Sequence, residues 1–229
     1  MDVAVLYSGG KDSNFAVEYC LKRNWNIKYL LSVKPTRTDC YLFHYATVEN
    51  TKEQAEVLGL NHIYVKCDVA DPRLEADIVR KVVEKNPVDA VVLGGVGLQV
   101  TQIESIQKAL RNLKVEVFAA HAGEDHEKLF RSMIDSGYKI MITQVAADGL
   151  INWLGKVVNK ENFNQLVKDS EKYGFHIGFE GGSADSLVLD APLFKEELQV
   201  VSMKKNIESN YCGYVELELK KKSLVESYI

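Results

Sequence analysis

No stretch of this 229-residue chain is long and apolar enough to cross a bilayer, because every hydrophobic run is short and interrupted by charge. The first apolar run begins at Val3, which leaves no space for a signal peptide, and a cytoplasmic protein is expected. Excess positive charge is also missing. Twenty-eight Lys and Arg against 32 Asp and Glu give a net charge of −4, so nothing global argues for nucleic acid as a partner. The four cysteines, Cys20, Cys40, Cys67 and Cys212, form no C-x-x-C pair. Their spacing suggests neither a zinc knuckle nor a disulfide framework, and it fits a reducing compartment. It also weakens, without removing, chemistry that transfers sulfur through paired cysteines. There is no internal repeat and no low-complexity tract. Two common phosphate-binding signatures are absent as well: the Walker A loop G-x-x-x-x-G-K-[ST] and the dinucleotide turn G-x-G-x-x-G.

What is present is an ordinary globular composition, 46% hydrophobic and 26% charged, organised around the first fourteen residues, MDVAVLYSGGKDSN. Val3 to Tyr7 is an apolar run, Ser8-Gly9-Gly10-Lys11-Asp12-Ser13 follows at once, and Phe15, Ala16, Val17 and Cys20 begin a helical pattern. This order predicts a buried strand, a glycine-rich turn and a helix N-terminus. Adjacent glycines allow close backbone approach, and the N–H groups and helix dipole there suit phosphate or pyrophosphate. Lys11 adds a point charge, and Ser8 and Ser13 add hydroxyls. Asp12 would repel bare phosphate, so it is expected either to contact Mg²⁺ or to cap the helix.

Further along, strands are expected over 27–33, 62–67, 90–93 and 115–119, alternating with helices over 15–22, 51–58, 73–84 and 102–113. Thr51 is the expected cap of the second helix. Such alternation predicts an α/β fold with a doubly wound parallel sheet. Ligands in these folds bind at the C-terminal ends of strands, where the Ser8–Ser13 turn and Gly94-Gly95 both fall. Beyond Ala119 the pattern changes. Helices over 127–136 and 160–173 flank a strand over 139–143, a glycine-rich stretch covers 178–183, and 186–189 reads as a further strand. The 197–203 and 214–220 segments alternate with period two, as antiparallel strands with one wet face do. Residues 1–120 are therefore expected to bind nucleotide, and 121–229 to form a smaller C-terminal α+β region.

The string Ser8-Gly9-Gly10-Lys11-Asp12-Ser13 resembles the pyrophosphate loop of the PP-loop, or N-type, ATP pyrophosphatases. Four later segments narrow the resemblance: Ser32-Val33, Leu42-Phe43-His44, Gly174-Phe175-His176 with Glu180-Gly181-Gly182, and Leu187-Val188-Leu189-Asp190-Ala191-Pro192-Leu193-Phe194-Lys195. In this order they resemble the diphthine–ammonia ligase family over nearly the whole chain. The resemblance implies an adenine nucleotide alpha hydrolase-like (HUP-type) fold, with ATP and Mg²⁺ as cofactors and ammonium as nitrogen donor. It implies conversion of diphthine to diphthamide on translation elongation factor 2. Some positions depart from the family pattern. Ser183 stands where the family carries a carboxylate, and Gln102 alone survives of its segment. Ala122-Gly123-Glu124-Asp125 and Gly149 to Gly155 have lost an arginine and acids respectively.

These residues define the expected site. Ser8, Gly9, Gly10, Lys11, Asp12 and Ser13 would bind pyrophosphate, with Lys11 stabilising charge on the leaving group. His44 would face nucleotide or substrate, or else pack in a turn, and Gly94 and Gly95 would approach ribose or phosphates. Gln102 would contact substrate through its amide. Glu180 would orient Mg²⁺, ammonia or the accepting carboxylate, or else sit in a solvated turn. Asp185 and Asp190 are weaker candidates, Asp190 serving equally as a turn cap, and Trp153 reads as core or lid packing. His121 and His126, with Glu124 and Asp125, look like metal ligands but have no recognised spacing. Two other functions stay open: a PP-loop enzyme modifying a tRNA base or small molecule, and a non-catalytic adenine-nucleotide sensor. Oligomeric state is undetermined, a homodimer being allowed.

Overall fold

The computed structural model describes residues 1–37, 42–43, 47–95, 100–120 and 123–222. Along the chain run β1 (Asp2–Leu6), α1 (Lys11–Lys22), β2 (Asn26–Pro35), α2 (Thr51–Leu58), β3 (His62–Cys67), α3 (Pro72–Lys85), β4 (Ala90–Leu93), α4 (Val100–Leu110) and β5 (Glu116–Ala119). There follow α5 (His126–Ser136), β6 (Lys139–Ala146), β7 (Val157–Val158), α6 (Phe163–Tyr173), β8 (Ala184–Asp190), β9 (Leu198–Ile207) and β10 (Cys212–Lys221). The chain divides into two compact units, Met1–Thr51 with Leu60–Asp125, and Lys52–Gly59 with His126–Ile229.

The first unit is built on a five-stranded sheet of order β3-β2-β1-β4-β5, parallel throughout. The expected doubly wound α/β architecture is the observed one. Its cause is legible in β1, where Val3 to Leu6 are buried one after another: a central parallel strand is covered on both faces. Ala4, Leu6, Leu31 and Val33 meet Val79 and Val83 of α3 and Ile106 and Leu110 of α4. Helix α1 packs on β1, β2 and β4 through Ala16, Val17 and Cys20. Each fully buried Val or Leu contributes roughly 1.5–3 kcal/mol relative to exposure.

The starts of α1, α3, α4, α5 and α6 differ from expectation by one to four residues, and two of them have a plain local reason. Helix α3 begins at Pro72, because the Asp71 carboxylate accepts the N–H groups of Arg73 (2.9 Å) and Leu74 (3.1 Å), and proline suits the first helical position. Helix α1 begins at Lys11 rather than Phe15, with Gly10 as its N-cap. Half of the expected phosphate turn is therefore the helix's first turn. Thr51 does not cap α2 by accepting a bond. Its hydroxyl donates to the Val48 carbonyl at 2.6 Å, from a 3-10 turn that precedes the helix.

The second unit centres on β6, which pairs antiparallel with β7, β8 and β10, while β10 pairs with β9. Strand β6 extends to Ala146, past its expected end, because 144–146 pair with Cys212 to Tyr214. Met141, Leu187 and Leu189 form an apolar cluster with Val157, Val200, Leu217 and Leu219. Trp153 is core, as expected, and its Nε1–H donates to Asp169 at 2.9 Å. Asp190 pairs with Lys139 at 3.4 Å, and Lys139 in turn holds Glu197 at 2.6 Å. The Lys139 ammonium draws the Glu197 carboxyl below its ordinary range.

Helix α2 lies early in the sequence yet belongs to this second unit, gripped by the LVLDAPLFK segment. Gln54 Nε2 donates to the Val188 carbonyl at 2.7 Å, and the Lys195 N–H donates to Val57 at 2.9 Å. Lys221 adds an ion pair to Glu56 at 2.7 Å. The sequence motif with the most specific family resemblance is thus a clasp. Replacing Gln54 by Leu removes a buried donor and leaves the Val188 carbonyl short of it, costing about 1–3 kcal/mol. Hydrogen exchange should quicken across 52–58 in that variant while β1 amides keep their protection.

Candidate functional site

The Ser8–Ser13 segment is held by Asn14, which is 2% exposed. Its Nδ2 donates to the carbonyls of Gly9 (3.1 Å) and Gly10 (3.0 Å), and its Oδ1 accepts the Tyr7 hydroxyl at 2.9 Å. Tyr7 is buried, and loss of water raises its phenol well above the ordinary value, so it stays a donor. Ser13 Oγ donates to the Gly10 carbonyl at 3.0 Å and lies 3.5 Å from Ser8 Oγ. Gly9 takes a φ of 83°, the left-handed region that glycine occupies without strain. Gly10 brings no side chain to the helix start and makes no side-chain cap. Asp12 does not act as the N-cap, which Gly10 occupies. The turn therefore presents main chain and hydroxyls at the positive end of α1, an arrangement suited to an anionic ligand.

Lys11 is 3% exposed, and its Nζ lies 2.7 and 2.8 Å from the two carboxylate oxygens of Asp12. The charge expected to meet phosphate is paired with its neighbour's carboxylate.

Gly94, at the end of β4, makes a close approach, and what it approaches is main chain. A Cβ there would stand 2.4 Å from the Asp12 carbonyl carbon and 2.6 Å from the Ser13 nitrogen. Gly95 is buried beside it. Gln102, at the start of α4, donates its Nε2 to the Leu42 carbonyl. The Leu42 N–H is taken by Glu75 Oε2 at 2.7 Å, from a carboxylate with no exposure. Gln102 and Glu75 thus hold the two main-chain groups of Leu42, one on each of the successive peptides that flank it. His44 itself lies outside the described residues, as do His121 and Cys40.

In the second unit, Glu180 opens a 3-10 turn through Gly182. Its Oε1 lies 3.7 Å from His126 Nδ1. The His126 ring meets His176 edge to face, with centroids 4.9 Å apart. The Gly178 N–H donates to His176 Nδ1 at 3.2 Å, which assigns that nitrogen as an acceptor and places a proton on Nε2. A Cβ on Gly178 would lie 2.8 Å from His126 Nδ1, so the glycine admits the His126 ring. Phe179 holds a φ of 64°, packed 5.7 Å from Phe130 and with its N–H on the His176 carbonyl at 2.8 Å. Packing imposes the left-handed conformation that a bulky residue otherwise avoids. Among the described residues no group of three or more His, Cys, Asp or Glu is arranged to hold a metal ion.

Sequence reasoning missed Asn14, Glu75 and the approach of His126 to Glu180. Asn14 carried a usable signal, since asparagine is unfavourable inside a helix unless its amide has other work. Glu75 carried none, because a glutamate in a helix's first turn is common on surfaces. Two of the cysteines, Cys20 and Cys67, offer little nucleophilic potential. Cys20 and Cys67 are buried, and burial pushes the Cys20 thiol up to about 12.

Gly94→Ala should cost on the order of 1–3 kcal/mol by driving a methyl into the α1 main chain. Urea denaturation would read this loss. Glu75→Leu should cost a similar ~1–3 kcal/mol by leaving the Leu42 N–H buried without its acceptor, whereas Glu75→Gln retains an oxygen there and should stay within about 1 kcal/mol of the parent.

Comparison with known proteins accords with both units. The diphthamide synthase N-terminal domain matches residues 1–133 and the diphthamide synthase C-terminal domain matches 125–225. The diphthine–ammonia ligase of Homo sapiens is 28% identical, over 97% of this chain and 94% of the human protein. That of Mus musculus is 29% identical, over 88% of this chain and 84% of its own. That of Danio rerio is 29% identical, over 92% and 90%. A glycine-rich turn held by Asn14, a clasp made by the LVLDAPLFK segment and family models covering both units lead to one conclusion: the chain belongs to the diphthamide synthase family.

Proposed function

We propose that the protein is an ATP-dependent ligase that adenylates a carboxylate and amidates it with ammonia, the acceptor being diphthine on translation elongation factor 2. The observation that carries this reading is the Ser8–Ser13 turn. Its main chain is fixed by Asn14, its helix start lacks a side-chain cap, and a buried lysine lies in its first helical turn. The names of the relatives supply the reaction class.

The chemistry asks little covalent work of the protein. A carboxylate oxygen attacks the α-phosphorus of ATP, pyrophosphate leaves, and ammonia then displaces AMP to leave an amide. The enzyme positions the reactants and neutralises the polyphosphate. Lys11 would exchange its Asp12 partner for a phosphate oxygen, and the Asp12 carboxylate would then serve Mg²⁺. Asp12 is the residue that would help hold that ion, which would supply positive charge to offset the polyphosphate. On this reading the first unit binds nucleotide and the second carries the acceptor side, with Glu180 and His126 as its ionisable pair. Gln102 and Glu75 would position the 42–44 segment rather than react. Ammonium is the nitrogen source.

The test is release of pyrophosphate and AMP from Mg²⁺–ATP with ammonium, with and without diphthine-bearing elongation factor 2. Release should depend on the factor and convert one carboxylate to an amide. Lys11→Ala should lower the rate by about 10²–10³-fold, the scale of losing one preorganised electrostatic group. Tight ATP binding with no factor-dependent release would overturn the ligase reading in favour of a nucleotide sensor.

A further inference from the structure

A hydrogen-bonded chain inside the first unit reaches the phosphate turn from a residue that no sequence motif singled out. Ser32, on β2, has no exposure, and its hydroxyl donates to the Tyr7 carbonyl at 2.7 Å. Close by, the Thr51 hydroxyl donates to the Val48 carbonyl. Both oxygens also contact one nitrogen, His62 Nε2, at 2.9 Å from Ser32 and 3.3 Å from Thr51.

The direction of these contacts follows from proton count. A hydroxyl has one proton, and a carbonyl can only accept. Ser32 and Thr51 each give that proton to a carbonyl, so each faces His62 as an acceptor. Nε2 must then carry hydrogen. Burial lowers the His62 pKa, which keeps the ring neutral near pH 7, with a single N–H to place. The two hydroxyls decide the tautomer. On its other side the ring meets Tyr64 edge to face at 6.2 Å.

The far end of the chain is where function enters. The Tyr7 carbonyl and the Ser8 N–H belong to one peptide plane, trans and rigid, and they point in opposite directions. Whatever fixes the Tyr7 oxygen fixes the direction of the Ser8 N–H, the first main-chain donor of the phosphate turn. Tyr7 is anchored besides by its N–H on Leu31 (2.8 Å) and its hydroxyl on Asn14.

We propose that His62 is a positioning residue for nucleotide phosphate: its Nε2–H holds the Ser32 hydroxyl in the rotamer that orients the Tyr7–Ser8 peptide. This rests on the reading of Ser8–Ser13 as the ATP phosphate site. His62 touches no ligand itself and acts through Ser32.

The experiment uses the full chain and Mg²⁺–ATP, with affinity read by titration calorimetry and the ring by ¹⁵N NMR. His62→Phe keeps a planar ring and removes the donor, and it should weaken Mg²⁺–ATP about tenfold, the scale of one buried hydrogen bond. His62→Gln returns an N–H near the Nε2 position and should bind within about twofold of the parent. Each variant's melting temperature is measured alongside, and affinity is read well below its transition, which separates aim from folding. In a Ser32→Ala background His62→Phe should bring no further loss. NMR of the parent should show the Nε2–H tautomer at neutral pH. Unchanged affinity in His62→Phe, a full further loss on top of Ser32→Ala, or an Nδ1–H tautomer would each overturn the proposal. If Lys11→Ala bound Mg²⁺–ATP like the parent, the phosphate reading would fall and the positioning role with it. The tautomer would still decide whether the hydrogen-bonded chain is as assigned.

Discussion

One amide side chain holds the centre of the first unit together. Asn14 binds two successive carbonyls of a glycine pair and accepts the hydroxyl of Tyr7, tying the end of β1 to the start of α1. Without such a tie, a Ser-Gly-Gly turn has many conformations, because glycine loses more freedom on ordering than any other residue. With it, the turn has one. The surrounding packing accepts the same constraint, since Gly94 brings the end of β4 against the main chain of Asp12 and Ser13. Strand ends, glycine turn and helix start therefore form a single rigid assembly. Preorganisation of this kind is what phosphate binding and leaving-group stabilisation require.

A second theme is the use of side chains on main-chain groups near the expected site. Gln102 and Glu75 hold the carbonyl and the N–H of Leu42, Ser32 holds Tyr7, and His176 accepts from Gly178. Each fixes a backbone that carries a motif residue nearby in sequence. In the second unit the Glu180 turn is shaped in the same manner, with Phe179 pressed into a left-handed conformation beneath it. Residues that depart from the family pattern, such as Ser183, sit on a turn whose framework remains built: Ser183 Oγ donates to the Glu180 carbonyl at 3.4 Å.

The parallel sheet was legible because its signals are local. Val3 to Leu6 is continuously apolar, and helical patterns separate the strands. The Ser8–Ser13 turn was legible as a turn because a glycine pair between an apolar run and a helical pattern has few other uses. The start of α1 was read late, since Lys11 to Asn14 are polar and give no apolar period. Partners across long sequence separations were not legible at all. Nothing near Glu75 announces the Leu42 N–H, nothing near His62 announces Ser32, and Gln102 offered an amide without saying to what. Such residues look like surface polar groups until the chain is folded. Gly94 was identified as a point of close approach, but whether main chain or ligand comes near cannot be read from a glycine.

The placement of α2 has a consequence for how the chain matures. The helix is synthesised early, yet the carbonyl that receives Gln54 belongs to Val188, 134 residues later. An eight-residue helix is marginal alone in water, so α2 leaves the ribosome before the surface that stabilises it exists. Until β8 appears, its buried face, with Ala55 and Val57, must wait exposed or be sheltered by other surface. The second unit, correspondingly, is not a severable fragment. A polypeptide beginning at His126 would have β8 and the Lys195 turn but no helix to close upon, and its apolar surface there would face water.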